Sequence, residues 1–140
     1  MDHVAIMKKS WGLTEKILSG EKKIESRWYQ TKRMPWGKIK VGETVFFKNS
    51  GEGVVAKAVV SDIMQFQIKS ESEAEKIVEK FGKEICLLNR NVKTWDKLPK
   101  YCLLIFLKNP VRIKPFEIDK TGFGMMSAWI TVKNINKIKK

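Results

Sequence analysis

The sequence predicts an α+β fold, a small and mostly antiparallel β-barrel with two to four flanking helices. Roughly six short apolar segments have the pattern of strands, and only two or three segments have helical spacing. These segments do not alternate as they would in a parallel βαβ fold. The chain has 140 residues, enough to bury a core. No repeat or linker divides it, so we expect one domain over residues 1–140.

The first elements are predicted to be a strand, a helix and a second strand. Residues 3–7 are typical of a buried strand. Ser10 is a candidate N-cap for a helix, which Gly20 ends as a left-handed residue. Residues 23–27 follow as a strand, in which alternate side chains share a face. Lys22, at the turn before this strand, can then swing towards the face that carries Glu25.

The remaining elements follow from turn residues and apolar runs. Residues 29–37 are expected to form a loop, and Ser72 is a candidate N-cap for the second long helix, which Gly82 ends. Residues 83–100 are expected to hold one or two short helices, and Asn109-Pro110 a break between strands. The predicted strands are 44–48, 54–63, 101–107, 112–116 and 129–132, and the second long helix is 72–81.

The segment from Gly20 to Trp28 carries the most informative pattern. Gly20, Lys22, Glu25 and Arg27 resemble, position by position, the GxKxxExR motif of the ASCH domain family. Residues 40–47 resemble the family's G-D-x-I-x-F strand, with a glutamate in place of the aspartate. The resemblance covers roughly residues 4–63 with some specificity. It implies a PUA-like fold, in which the first helix and the next strand border a cleft beside the barrel.

The Lys22, Glu25 and Arg27 cluster has two interpretations. It can be a surface ion-pair ladder, worth ~0–1 kcal/mol. The resemblance favours a site in which Lys22 and Arg27 hold Glu25 and leave cationic donors free for a phosphate or a base carbonyl. Lys22 and Glu25 are also candidates for general acid–base catalysis, if burial and pairing shift their pKa values.

Charge and aromatic residues indicate a nucleic-acid partner. The formal net charge is +13, which attracts polyanions, although a lysine excess can also serve solubility alone. Acids are absent between Glu25 and Glu43. Trp36 is the favoured platform for base stacking, because it lies in a loop among basic residues. The expected nucleic-acid-binding residues are Lys22, Glu25, Arg27, Trp28, Arg33, Trp36 and Lys38, and further stacking candidates are Trp11, Trp95 and Trp129.

Three functions fit these patterns. The leading hypothesis is an RNA-binding module, whose basic cleft receives a nucleotide or a short single-stranded segment. The second is a small hydrolase that acts on modified nucleosides or on RNA, as the resemblance implies for some family members. In the amidohydrolase members a threonine nucleophile follows the lysine by three residues; Glu25 stands there in this chain, so that mechanism is not expected. The third is a protein-interaction domain. The loop at residues 123–127 is interpreted as a lid over the cleft or as a plain connection.

Other sites are not indicated. His3 is the one histidine and has no neighbouring ligand cluster, so neither a metal nor a Cys–His nucleophile is expected. No GxxxxGK[ST] or GxGxxG motif indicates a cofactor. Cys86 and Cys102 are expected to be buried thiols. No apolar run is long enough to span a membrane, and a cytoplasmic protein is the simplest interpretation. No pattern indicates an oligomeric state.

Overall fold

A computed structural model describes residues 1–124 and 127–140. These residues form six strands, two α-helices and three short 3₁₀ turns, which are at Lys9–Trp11, Val92–Thr94 and Ile135–Lys137. The strands are β1 (Asp2–Met7), β2 (Ile24–Tyr29), β3 (Thr44–Asn49), β4 (Val54–Gln67), β5 (Tyr101–Phe116) and β6 (Trp129–Val132), and the helices are α1 (Leu13–Ser19) and α2 (Glu71–Ile85). Within the described part of the chain, no helix is long and apolar enough to cross a membrane.

All six strands form one mixed sheet in the order β2-β5-β4-β3-β1-β6. The β1–β3 pair is parallel and the other pairs are antiparallel. The predicted α+β class is therefore confirmed, but the sheet is a half-barrel whose edge strands, β2 and β6, are not paired with each other among the described residues. A side-chain contact joins these edges, because the Arg27 guanidinium lies 4.9 Å from the centre of the Trp129 ring. The finer PUA-like assignment stays a prediction.

Irregular pairing bends the two longest strands. The register between β4 and β5 shifts at three places. At one of them Asn109 and Pro110 lie opposite a single β4 residue, Ala58, and Asn109 has a φ of 53°. The predicted break at these two residues is wrong, because a β-bulge accommodates a proline that has no N–H for the ladder. The bulges increase the local twist and so curve the sheet around its core.

The central strand β5 is buried on both faces, which explains its continuous apolar run. Leu103 and Ile105 face the inner core, to which α1 contributes Ile17. Cys102 and Leu104 face the opposite way and pack in the core beneath α2. Every residue of β2 pairs with β5. The position of β2 is therefore fixed by the best-buried strand of the fold.

The first helix begins later than predicted. Ser10 lies in the first 3₁₀ turn and caps nothing, and Gly12, with a φ of 64°, precedes α1 instead. Glycine has no Cβ and enters this left-handed conformation readily, so Gly12 can end the 3₁₀ turn just before α1 begins. The end of α1 is as predicted, because Gly20 has a φ of 84°.

The second helix begins one residue earlier and ends four residues later than predicted. Its N-cap is Ser70 rather than Ser72, and the Ser70 hydroxyl accepts a hydrogen bond of 3.3 Å from the Glu73 amide. The helix passes Gly82 and ends at Ile85, and the residue that caps it, Cys86, is left-handed. This extension brings the last turn of α2 next to the start of β2.

Candidate nucleic-acid interface

A cavity of about 400 Å³ lies between β2, the end of α2 and the segment that leads from α2 to β5. We call it the central cavity. Its wall on the β2 side carries the charged residues of the GxKxxExR motif, and the opposite wall is mostly apolar. Pockets of this size hold small organic ligands. The residues that matter for its chemistry are Trp11, Lys22, Glu25, Arg27, Trp28, Leu88 and Trp95.

Lys22 is a buried cation with only 2% of its surface exposed. Its ammonium group donates hydrogen bonds to the carbonyl oxygens of Ile24, at 2.8 Å, and Ile85, at 2.5 Å. Burial lowers the pKa of Lys22, against the opposing attraction of Glu25. Two of its three N–H groups are thus occupied by the backbone. The structure therefore does not show the freely available donor that the sequence suggests, and the surface-ladder interpretation is wrong.

Glu25 presents an unsatisfied acceptor at the cavity wall. The residue is 5% exposed, and its Oε1 accepts a hydrogen bond of 3.0 Å from the Ser26 amide. The Lys22 ammonium is 3.8 Å from Oε1, and Nη2 of Arg27 is 3.9 Å from Oε2. These distances are ion pairs but not hydrogen bonds. Oε2 is buried and has no hydrogen-bond partner among residues 1–124 and 127–140.

Arg27 supplies the matching donor. Its Nε is also buried and has no hydrogen-bond partner in the part of the chain that the structure describes, while its guanidinium group rests on the Trp129 ring. Because Glu25 and Arg27 are two residues apart on one strand, they lie on the same face. A buried polar atom without a partner costs about 1–3 kcal/mol, so this acceptor and this donor have unused hydrogen-bonding capacity beside the cavity.

Aromatic rings from three segments line the same cavity. The ring centres of Trp28 and Trp95 are 5.1 Å apart with their planes at 79°, and Trp28 Nε1 donates to Ser26 Oγ at 3.0 Å. Trp95 Nε1 donates to the Asn89 carbonyl at 3.1 Å. These hydrogen bonds fix the orientation of both indoles. Trp11 lies at the mouth of the cavity and is 45% exposed.

Some of the predicted residues lie elsewhere. Trp36, the favoured stacking residue, packs against the inner core and meets Tyr101 edge to face at 5.3 Å. Lys38 is exposed, and neither residue lines the central cavity. Trp129 is buried, and its Nε1 donates to His3 Nδ1 at 3.1 Å. The structure brings together Lys22, Glu25, Arg27 and Trp28 from the predicted set.

A second cavity, of about 420 Å³, adjoins the first and shares Arg27 and Trp28 with it. We call it the arginine cavity, because Arg33 is also in its wall, together with polar side chains that include Gln30. Ser127 lines it too. Met125 and Met126, at the middle of the predicted lid, lie outside the described residues.

His3 has a structural environment. Its Nε2 lies 2.8 Å from Glu43 Oε1, and its Nδ1 lies 3.0 Å from Thr131 Oγ1. Since the Trp129 indole donates to Nδ1, the proton of the neutral ring is on Nε2 and is donated to Glu43. Burial lowers the pKa of His3, against the raising effect of Glu43. Among residues 1–124 and 127–140, no group of three or more His, Cys, Asp or Glu is placed to hold a metal ion.

The fold and the cavity define an α+β half-barrel protein with a tryptophan-lined cavity beside its edge strand β2. No family model matches the sequence, and no curated protein matches it either. Several solved structures do. ASCH from Zymomonas mobilis is 14% identical with a TM-score of 0.70, over 99% of this chain and 96% of that one. A point mutant of it gives a TM-score of 0.71 at 15% identity, over 97% and 93% of the two chains.

The N-terminal domain of McrB from Staphylothermus marinus is a more distant match. It has a TM-score of 0.51 at 10% identity, over 97% of this chain and 90% of that one. At such identities the likeness shows the fold. This chain has an ASCH-like fold, as the resemblance predicts, and the PUA-like assignment stays a prediction.

Proposed function

We propose that this protein binds single-stranded RNA and holds one nucleobase in the central cavity. One observation carries the proposal: Glu25 and Arg27 both line a cavity that also holds tryptophans, and each has a buried atom without a hydrogen-bond partner among the described residues. These atoms are an acceptor, Glu25 Oε2, and a donor, Arg27 Nε. A nucleobase has flat apolar faces and a polar edge with donors and acceptors. The contacting indoles of Trp28 and Trp95 offer an apolar surface for one face, and Glu25 and Arg27 offer polar groups for the edge.

The charge of the whole chain supports the same ligand class. A net charge of +13 favours a polyanion over a neutral metabolite. In the proposed complex Arg33 and Lys38 lie along the phosphate backbone, while Lys22 acts indirectly by holding Glu25 in place. Trp36, whose ring is committed to the inner core, contributes to stability more than to binding.

Fluorescence titration tests this proposal. Tryptophan emission is followed while a short single-stranded RNA is added at several salt concentrations. We expect quenching and an affinity that falls steeply as salt rises. An abasic strand of the same length is the control, because it has the phosphates without the bases. Equal binding of both strands, or none at low salt, overturns the proposal.

A hydrolase that acts on acylated nucleosides or on RNA is the second candidate. It is favoured by the buried Lys22, whose pKa is lowered by burial, only 3.8 Å from a carboxylate in a ligand-sized cavity. Lys22 donates two hydrogen bonds to backbone carbonyl oxygens, which hold its ammonium group in place. This argues against Lys22 as a mobile proton carrier. Incubation with acylated cytidine and with RNA distinguishes the two functions. Turnover that Glu25→Gln abolishes, with binding retained, would favour catalysis.

A further inference from the structure

A third cavity lies on the other side of the central cavity. It has a volume of about 480 Å³, and we call it the basic cavity because Lys16, Lys23, Lys83 and Arg90 line it. Among the residues that the structure describes, none of these four forms an ion pair within 4.0 Å. Glu21 and Glu84 are also in the wall, so the four cations outnumber the acids by two.

Helix ends explain only part of this concentration of charge. Lys16 and Lys83 lie in the last turns of α1 and α2, where the helix dipole favours cations. Lys23 and Arg90 are outside the helices, so the dipole does not account for them. The Arg90 side chain lies across Gly82, with its Cδ 3.5 Å from the position that a Cβ would occupy there. Because Gly82 has no side chain, the helix surface leaves room there for the aliphatic part of the Arg90 side chain beside the cavity.

The three cavities adjoin one another. Cys86, Leu87 and Leu88 are in the walls of both the basic and the central cavity. Arg27 and Trp28 are in the walls of both the central and the arginine cavity. The central cavity, which is mostly apolar and has an aromatic wall, therefore lies between two cationic cavities, the basic cavity and the arginine cavity. Leu88, which is 61% exposed, is at the junction of the first two.

We propose that the three cavities form one track for an internal nucleotide of a single strand. The base enters the central cavity, one flanking phosphate lies at the basic cavity, and the other lies at the arginine cavity. This inference rests on the proposed function and narrows it. A nucleotide inside a strand has a phosphate on each side, whereas a free nucleoside leaves both outer cavities empty. Cationic grooves that follow the backbone, with aromatic rings for the bases, are how proteins bind single strands.

The test compares ligands of increasing length. Dissociation constants are measured for a nucleoside and for a trinucleotide with the same central base. We expect the trinucleotide to bind at least about tenfold more tightly, and its extra affinity to fall as salt rises. Equal affinities would overturn the track and leave base binding in the central cavity intact. If neither ligand binds, the proposed function itself fails.

A pair of charge variants locates the effect. Lys23→Gln with Lys83→Gln removes two cations from the basic cavity, and Lys57→Gln with Lys108→Gln removes two exposed cations that line none of the three cavities. We expect the first pair to weaken trinucleotide binding, to lower the salt slope by about one unit and to leave nucleoside binding unchanged. An equal loss in the second pair would show a general charge effect and overturn the track.

Discussion

The ammonium group of Lys22 donates a hydrogen bond of 2.5 Å to the carbonyl oxygen of Ile85, the last residue of α2. Carbonyls in the last turn of a helix have no partner within the helix, and a lysine is one of the groups that satisfies them. Ile85 and Glu25 are on facing walls of the central cavity. Lys22 therefore joins the two walls, and its first role is to keep the cavity in shape.

Replacement of Lys22 is expected to destabilise the fold. Lys22→Met leaves two carbonyl oxygens without a donor and Glu25 with one cation fewer, so we expect the free energy of unfolding to fall by about 3 kcal/mol. Urea denaturation measures this change. The control is Lys23→Met at the exposed neighbouring position, where a change within about 0.5 kcal/mol is expected. Similar values for both variants would show that the buried hydrogen bonds contribute little.

Replacement of Glu25 is expected to weaken binding rather than folding. Glu25→Gln keeps the shape of the side chain and an acceptor for the Ser26 amide, but it puts an amide NH₂ where Oε2 is unpaired. We expect the affinity for a trinucleotide to fall about tenfold, which corresponds to about 1.4 kcal/mol. Isothermal titration calorimetry measures it.

The matched control for this prediction is Glu79→Gln, an exposed position on α2 outside the cavities. It makes the same change in net charge, so it is expected to leave RNA affinity unchanged or slightly tighter. If Glu25→Gln also tightens binding, the carboxylate is a repulsive charge and does not recognise the base.

Two tryptophan variants distinguish the cavity from the predicted loop. Trp95→Leu removes a stacking surface, and we expect RNA affinity to fall by about 1–3 kcal/mol. Trp36→Leu removes a ring that packs on the inner core, so we expect lower stability with unchanged affinity. Binding titrations and thermal denaturation of both proteins check this pair. A loss of affinity in Trp36→Leu alone would place the stacking site in the loop.

The buried His3 makes stability depend on pH. Because burial lowers its pKa, the unfolded chain binds a proton more readily than the folded one. The stability that this residue contributes is present above its unfolded value of 6.5 and is lost as the pH falls below it. The slope is at most about 1.4 kcal/mol per pH unit.

Denaturation between pH 8 and pH 5 checks this behaviour, with His3→Gln as the comparison. The variant is expected to be less stable at pH 8 and to lose less stability on acidification. Glu43 acts at lower pH. Burial raises its pKa, but hydrogen bonds from His3, the Lys40 amide and the N-terminus outweigh burial and lower it, so its contribution is lost below about 4.5. A wild-type protein with flat stability across pH 5–8 would contradict the His3 assignment.

The local pattern around Gly20 was enough to predict the β2 side of the site. Gly20 ends α1 in a left-handed conformation, and the next residues form a strand, as expected from backbone chemistry that depends only on neighbours in sequence. That Glu25 and Arg27 share one face follows from the period of a strand. The burial of Lys22 cannot be predicted from the local sequence, because its hydrogen-bond partner Ile85 is 63 residues away in the chain.

The opposite wall of the cavity was not predicted for a similar reason. Residues 86–99 have no helical or strand period, and the structure gives them one 3₁₀ turn, Val92–Thr94. Their positions depend on where α2 ends and β5 begins. The one available signal is Trp95, the single aromatic residue of this segment. The sequence also does not reveal that β5 continues through Pro110. The β-bulge that allows this depends on the pairing of β5 with the neighbouring strand β4.

Cys86 gives this cavity system a built-in chemical reporter. Its thiol is partly exposed and belongs to the wall between the basic and the central cavity. Cys102, the other thiol, is fully buried, and burial raises its pKa, so it resists alkylation. A thiol-reactive fluorophore would therefore attach at Cys86, between the basic and the central cavity. The rate at which Cys86 is alkylated would show whether a ligand occupies these cavities, even when the natural ligand is not known.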